Sequence, residues 1–357
     1  MRSQIIVLAV TLGLAGTLAV PARGDETLQQ RSERSFDASG IETVRVDNAR
    51  GRVIVSRSPD ARVHLTALKI VRTGDSRESE RIAARLEVTT RVSDGALEVR
   101  AGYPRGTSVH VSFWDLLRGY ELPRVEVRLK LAVPDRMSVR VRTSSGDVQT
   151  EDLGGAQALT SVSGDVTVAG ARGALEVSST SGDIEAAGLA AVRLKSTSGD
   201  IRVRDAGGPL RVTSTSGDVR VTGARDSLDL ETTSGDVRVS EAPRGARIRS
   251  TSGRVVLGRA SRSVRIEGSS ADVDLELDGR LERVDVRTGS GSITAWVAGA
   301  LGCRLDLRTS SGSLDVTVPL QLIQATRHEV RGVIGDGSAP VTLRTSSGDI
   351  DVRGKRI

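Results

Sequence analysis

The chain of 357 residues carries 51 Lys and Arg against 45 Asp and Glu, a formal net charge of +6 that favours anionic surfaces without naming a partner. Its length admits two ordinary domains or one long repeat array, and the 2% aromatic content excludes a core of large rings, leaving Val, Leu, Ile and Ala to fill it. Cys303 is the only cysteine, which excludes an intrachain disulfide.

In chain order, Arg2, the apolar run from Ile5 to Val20 and the Val20-Pro21-Ala22 site have the order of a secretory signal. The run is shorter than the roughly 20 residues of a spanning helix and contains Gly13 and Gly16. Residues 1–22 are therefore expected to be a cleaved signal peptide, with an uncleaved anchor as the alternative. No cysteine near the cleavage site can carry a lipid, and no second apolar segment follows. An exported protein, periplasmic or extracellular, is expected, with a flexible mature N-terminus over 23–40.

Residues 41–138 read as an N-terminal cap with irregular first rungs. Val44, Val46, Val53 and Val55 flank an Asn48–Gly51 turn, as in a degenerate rung. From Asp75 to Val88 a short helix is predicted: Asp75 and Glu78 fit a capping box, and Ile82 and Leu86 share a face. A helix over the open end would block strand addition. Four of the six aromatics follow, Tyr103, Phe113, Trp114 and Tyr120, either as a partner-binding patch or as a seal between cap and rungs.

From 139 to 353 the chain is a repeat. Ser-Gly-Asp or a close variant centres on Gly146, Gly164, Gly182, Gly199, Gly217, Gly235, Gly253, Ala271, Gly291, Gly312 and Gly348, a nearly constant period. The last interval is two periods long, so one rung is expected to have lost its signature between Gly312 and Gly348. Apolar residues lie seven and five positions before each Gly and two and four after it, as in Leu175, Val177, Ile184 and Ala186. This alternation encodes two strands per rung. Three positions before the Gly stands a small hydroxyl, as at Ser161, Ser179 and Ser196, suited to bonding from rung to rung. From that hydroxyl to the next inward residue is an odd interval, so the chain must turn a corner at Ser-Gly-Asp. The predicted fold is all-β: a β-solenoid of about 18 residues per rung with an N-terminal cap containing one short helix, stabilised by stacking. Its C-terminal end, after Ile350 and Val352, is expected to lack a covering helix, which opens end-to-end self-association.

The corner aspartates, Asp147, Asp165, Asp183, Asp200, Asp218 and Asp236, read as turn residues in preference to a cation ladder, because Arg254, Ser292 and Ser313 interrupt the row. Outward positions six and four before the Gly gather Arg140, Arg142, Arg193, Lys195, Arg211, Arg247, Arg249, Arg265, Arg287, Arg308 and Arg344 against six acids. Arg193, Lys195, Arg211, Arg247, Arg249 and Arg265 are the candidate residues for a polyanion-binding face, such as for an acidic polysaccharide or lipid headgroups. The alternative is a solvated face that prevents aggregation. His64, His110 and His328 have no metal-ligand spacing and no Ser-His-Asp order is evident, so no catalytic, metal or cofactor site is expected.

The segments Thr197-Ser198-Gly199-Asp200-Ile201, Thr215-Ser216-Gly217-Asp218-Val219 and Gly335-Asp336-Gly337 through Ser347-Gly348-Asp349-Ile350 resemble the bacterial putative-adhesin repeat domain, a domain of unknown function, over most of residues 40–353. The resemblance implies a β-solenoid in an exported or envelope protein and supplies no site residues. Together these features point to a non-enzymatic, adhesin-like rod that binds an envelope protein, a polysaccharide or an anionic surface, with no nucleic acid among its partners. A β-helical polysaccharide-processing enzyme and a self-assembling solenoid are the alternatives.

Overall fold

The computed structural model describes residues 27–73, 76–103, 124–298 and 301–354. The expected signal peptide lies outside them. Within them, 27 strands form one continuous hydrogen-bonded sheet, and one helix packs against it.

In the regular part each rung contributes one strand before its Ser-Gly-Asp corner and one after it. Each strand pairs in parallel with its equivalent in the next rung on either side, as Leu175–Ser179 pairs with both Gln157–Ser161 and Val192–Ser196. Inward residues of successive rungs stack into one apolar core: Leu159, Val177, Leu194, Val212 and Leu230 are all buried. The β-branched and leucine side chains fill the narrow space between two strand layers, and each rung covers the apolar stripe of the last.

The corner glycines have two different reasons to be glycine. At Gly217, Gly235 and Gly253 the backbone is left-handed, with φ between 103° and 110°. At Gly164 and Gly182 it is not, but a Cβ there would stand 2.2 and 2.1 Å from the carbonyl oxygen of the corner before, so stacking distance alone demands glycine. Six residues on, a second bend again takes left-handed backbone, at Asp152, Gly170, Gly188, Asp205 and Gly223. Either Asp or Gly stands there because both tolerate that conformation.

Both ends depart from sequence order. Strand β1 is Thr27–Asp37, followed by β2 (Thr43–Asn48), β3 (Val53–Arg57), β4 (Arg62–Arg72), helix α1 (Ser76–Arg85), β5 (Glu87–Ser93), β6 (Ala96–Gly102), β7 (Arg124–Val133), β8 (Ser138–Thr143) and β9 (Val148–Glu151). The first rung in sequence, β2 with β3, is second in space: β2 lies between β6 and β8, and β3 between β7 and β9. Antiparallel strands then close this end, β5 on β6 and β4 on β7, with β1 on β4. The segment 23–40, expected to be flexible, therefore supplies an eleven-residue strand. Pairing with β4 satisfies one edge of its backbone. Helix α1 buries Ser79, Ile82 and Ala83 and packs on β4 and β1, so it braces the antiparallel cap instead of lying over a bare rung.

At the other end, the last rung in sequence is inserted between two earlier ones. Ala339–Thr345 lies between Val284–Thr288 and Cys303–Arg308, and Ile350–Gly354 between Ile293–Val297 and Leu314–Val316. In space the corners run Ala271, Gly291, Gly348, Gly312. No rung has lost its signature: the stretch after Gly312 is an antiparallel hairpin, Gln321–Ala325 with Glu329–Ile334, the latter pairing with Cys303–Arg308. The outermost rung is thus the one at Gly312, and the hairpin covers one of its two strands. The rungs first and last in sequence are each held between neighbours on both sides.

Candidate functional site

The corner row was one of two chemical features the repeat offered. Each corner carboxylate accepts the backbone N–H of the next corner. Asp165 Oδ1 takes the Asp183 N–H, and Asp183, Asp200 and Asp218 take those of Asp200, Asp218 and Asp236, all at 2.9 Å. A donor needs no carboxylate of its own, which explains the substitutions. Arg254 donates to Asp236 at 3.0 Å, Ser292 to Asp272 at 2.9 Å, and Ser313, on the outermost rung, to Asp349 at 2.7 Å. The N–H of Arg254 chiefly, then Arg238, holds the Asp236 carboxyl below its ordinary value, and Ser313 does the same for Asp349. Remaining oxygens meet arginines: Arg202 bridges Asp183 and Asp200 at 3.3 and 3.0 Å, and Arg238 bridges Asp218 and Asp236. Among the described residues no group of three or more His, Cys, Asp or Glu is placed to hold a metal ion.

The hydroxyl column is likewise consumed, though differently from the expectation. Ser161, Ser179 and Ser196 do not bond along the rod. Each closes its own corner, accepting the Gly N–H three residues on and donating to the carbonyl of that same Gly at 2.6–3.0 Å. Thr288, Thr309 and Thr345 alone among these donors reach a neighbouring rung, at the carbonyls of Ala271, Gly348 and Gly291. The buried Asn48 fills the same column in the first rung, donating to the Gly51 and Val127 carbonyls.

At the opposite end of the pre-corner strands the structure is open. A groove of about 990 Å³ runs across consecutive rungs from Thr43 to Ser263. It is lined by the small residues Ala156, Ala174, Ala191 and Pro209, just ahead of the first inward residue of each strand, and by the basic residues Arg140, Arg193, Arg211, Arg244, Arg247 and Arg265. Four of the predicted polyanion-face residues, Arg193, Arg211, Arg247 and Arg265, line it together. Lys195 and Arg249 sit two residues further along their strands and do not.

Ion pairing divides this face. Arg211 pairs with Asp229 at 3.6 Å, Arg249 with Glu267 at 3.2 Å and Arg265 with Glu267; towards the C-terminus Arg287 pairs with Asp285, and Arg308 and Arg344 with Asp306. Arg140, Arg142, Arg193, Lys195 and Arg247 form no ion pair among the described residues. Arg193 stands between Glu176 and Arg211, Arg247 stands opposite Asp229, and Arg140 stands opposite Arg45. Of the five, Arg140, Arg193 and Arg247 line the groove, whereas Arg142 and Lys195 lie two residues nearer the corner.

Of the aromatic patch, Phe113, Trp114 and Tyr120 lie outside the described residues. Tyr103 is turned inward: its hydroxyl donates to Asn48 Oδ1 at 2.8 Å, contacts the Arg50 carbonyl and accepts the Arg50 N–H. Burial pushes its phenol up to about 12. This residue pins the cap to the first corner.

One constellation was invisible in the sequence. Ser35 and His64 are cross-strand partners on β1 and β4, with Ser35 Oγ 2.9 Å from His64 Nδ1 and His64 Nε2 2.9 Å from Asp60 Oδ1. The carboxylate also accepts from Ser58 Oγ and the Arg62 N–H. The group is solvent-exposed, and neither the groove nor the smaller cavity beside Arg45 and Arg142 includes it.

The sequence profile described as Toastrack DUF4097 matches residues 79–244 and 240–353. No match is found among curated proteins. Among solved structures, a putative cell adhesion protein from Clostridium sporogenes shares 13% identity, covering 92% of this chain and all of that one, with a TM-score of 0.23. A putative adhesin from Bacteroides fragilis shares 12% over 90% and 97% of the two chains, TM-score 0.27. A putative lipid binding protein from Parabacteroides distasonis shares 12% over 91% and 97%, TM-score 0.32. Global superposition is poor in each case.

Proposed function

This chain belongs to the Toastrack DUF4097 family, and from that premise and the geometry of its groove we propose that it is a non-enzymatic, exported binding rod that holds an anionic partner along the groove. The observation that carries this reading is the segregation of charge: the corner edge spends its carboxylates and donors on itself, whereas the groove wall keeps three unpaired guanidiniums. Arginine suits this task because its planar fork matches phosphate and carboxylate oxygens and stays charged at any physiological pH.

The same lining argues for binding over glycoside chemistry. Its two acids are Glu176 and Asp229, three rungs or about 14 Å apart, beyond the roughly 6.5–9.5 Å of paired glycosidase carboxylates. Asp229 is also engaged by Arg211. No helix of the described residues is long and apolar enough to cross a membrane, which is compatible with export.

Elution from phosphocellulose tests the reading. Arg193→Glu/Arg247→Glu should elute at clearly lower salt than Arg91→Glu/Arg136→Glu, a pair with the same net charge on other surfaces. Equal elution would show that net charge, and not the groove, governs binding.

A further inference from the structure

The unpaired arginines of the groove are evenly spaced. Arg140 lies on β8, and the pairing runs from β8 through Gln157–Ser161 and Leu175–Ser179 to Val192–Ser196, which carries Arg193. It continues through Leu210–Ser214 and Leu228–Thr232 to the strand starting at Ala246, which carries Arg247. Each step is three rungs, about 14 Å at about 4.8 Å per rung. The three guanidiniums span about 29 Å.

The intervening positions in the same outward row are Ala158, Glu176, Arg211 and Asp229. Arg211 and Asp229 neutralise each other. A ligand sliding along the row therefore meets an unpaired positive charge at every third rung, with one negative charge in net over Ala158 and Glu176 and none in net over Arg211 and Asp229 between them.

The trough is long and follows one row: it crosses nine rungs, about 38 Å, and presents the outward residues of a single side-chain row. A bilayer face is flat, and a nucleic-acid duplex is far wider than one row of side chains. No aromatic residue lines the trough among the described residues, so nothing offers the ring platform on which single-stranded bases or sugars stack.

Resting on the proposed function, we infer that the groove is a linear-polyanion track that takes a slim, non-aromatic, phosphate-linked chain, held at three points by Arg140, Arg193 and Arg247. The small lining residues let the chain approach the backbone, and each guanidinium grips one phosphate bidentately. Once the first contact forms, the second and third become intramolecular, so affinity depends on whether the chain reaches them.

The test uses the full chain and linear polyphosphate in three size classes: too short to join two neighbouring arginines, long enough to join two, and long enough to join all three. Affinity should rise at least tenfold at each step. In Arg193→Gln the first step should disappear, while the longest class still gains by joining Arg140 to Arg247; unchanged amide hydrogen exchange in the flanking rungs confirms that this variant is folded. Polyphosphate binding that is lost in Arg193→Gln yet insensitive to length would overturn the three-point track and leave the groove as a simple anion site. Tighter binding of length-matched oligogalacturonate would overturn the phosphate assignment. Tighter binding to phosphatidylglycerol vesicles would replace the polymer by a lipid surface. If none of the three probes binds, the proposed function falls with the track.

Discussion

The two ends of one five-residue strand behave as opposites. At its C-terminal end, the Ser-Gly-Asp corner, hydroxyls, carboxylates and backbone donors satisfy one another within and between rungs. At its N-terminal end, the small-residue bend leaves guanidiniums without partners. The most regular feature of the chain is therefore its scaffold, and the irregular row of outward charges is where a ligand would be recognised. Buried, fully satisfied polar networks rigidify; exposed charge of one sign attracts.

The sharpest way to break this contrast is at the corner. Gly182→Ala places a methyl 2.1 Å from the Gly164 carbonyl oxygen, and the rungs must separate to admit it. A loss of roughly 2–3 kcal/mol is expected, the upper range for overpacking. It should appear first as faster hydrogen exchange in the rungs at Gly164 and Gly182. Exchange unchanged there would mean that the corner stack is looser than its geometry.

Ser179→Ala comes next. It strips the buried Gly182 N–H of its acceptor and the Gly182 carbonyl of a donor, which should cost about 1–3 kcal/mol. Ser179→Thr retains the hydroxyl, as Thr143 does in its own corner, and should recover most of that loss in a urea titration.

Acid provides a smaller, distributed effect. The carboxyls of Asp236 and Asp349 lie below the ordinary 3.8 in the folded protein, so their contribution is fully present above that value and is lost as pH falls through the folded pKa. The melting temperature should hold from neutral pH to about 5 and decline below about 4. A decline beginning near pH 6 would show that these carboxyls do not set the acid limit.

Much of this scaffold was legible in the sequence because it repeats. Inward positions such as Leu175, Val177, Ile184 and Ala186 alternate with period two and are buried as expected, and Ser179 stands at its corner for a chemical reason visible in one rung. The order of the terminal rungs was not legible. The Gly348 rung presents the same inward faces as its neighbours, so nothing local says whether it stacks after Gly312 or before it. The hairpin at 321–334 was hidden for a related reason: its first strand is exposed throughout, and without a buried face it has no alternation to read. On the site, Arg193, Arg211, Arg247 and Arg265 were found by counting outward positions. Arg140 stood in the same count, and pairing geometry was needed to separate it and the other free arginines from the engaged ones. Ser35, Asp60 and His64 meet only because β1 folds back on β4, a pairing that the sequence pattern of 23–40 does not announce.

The central claim is that corner and groove have separate tasks, and one paired measurement tests it most directly: the stability of two variants and their binding to long polyphosphate. Asp183→Ala removes the acceptor for the Asp200 N–H and should lower stability by about 1 kcal/mol while leaving affinity unchanged. Arg193→Glu should weaken binding at least tenfold while stability stays within about 0.5 kcal/mol, as for other exposed substitutions. Loss of binding in Asp183→Ala with full binding in Arg193→Glu would contradict the account.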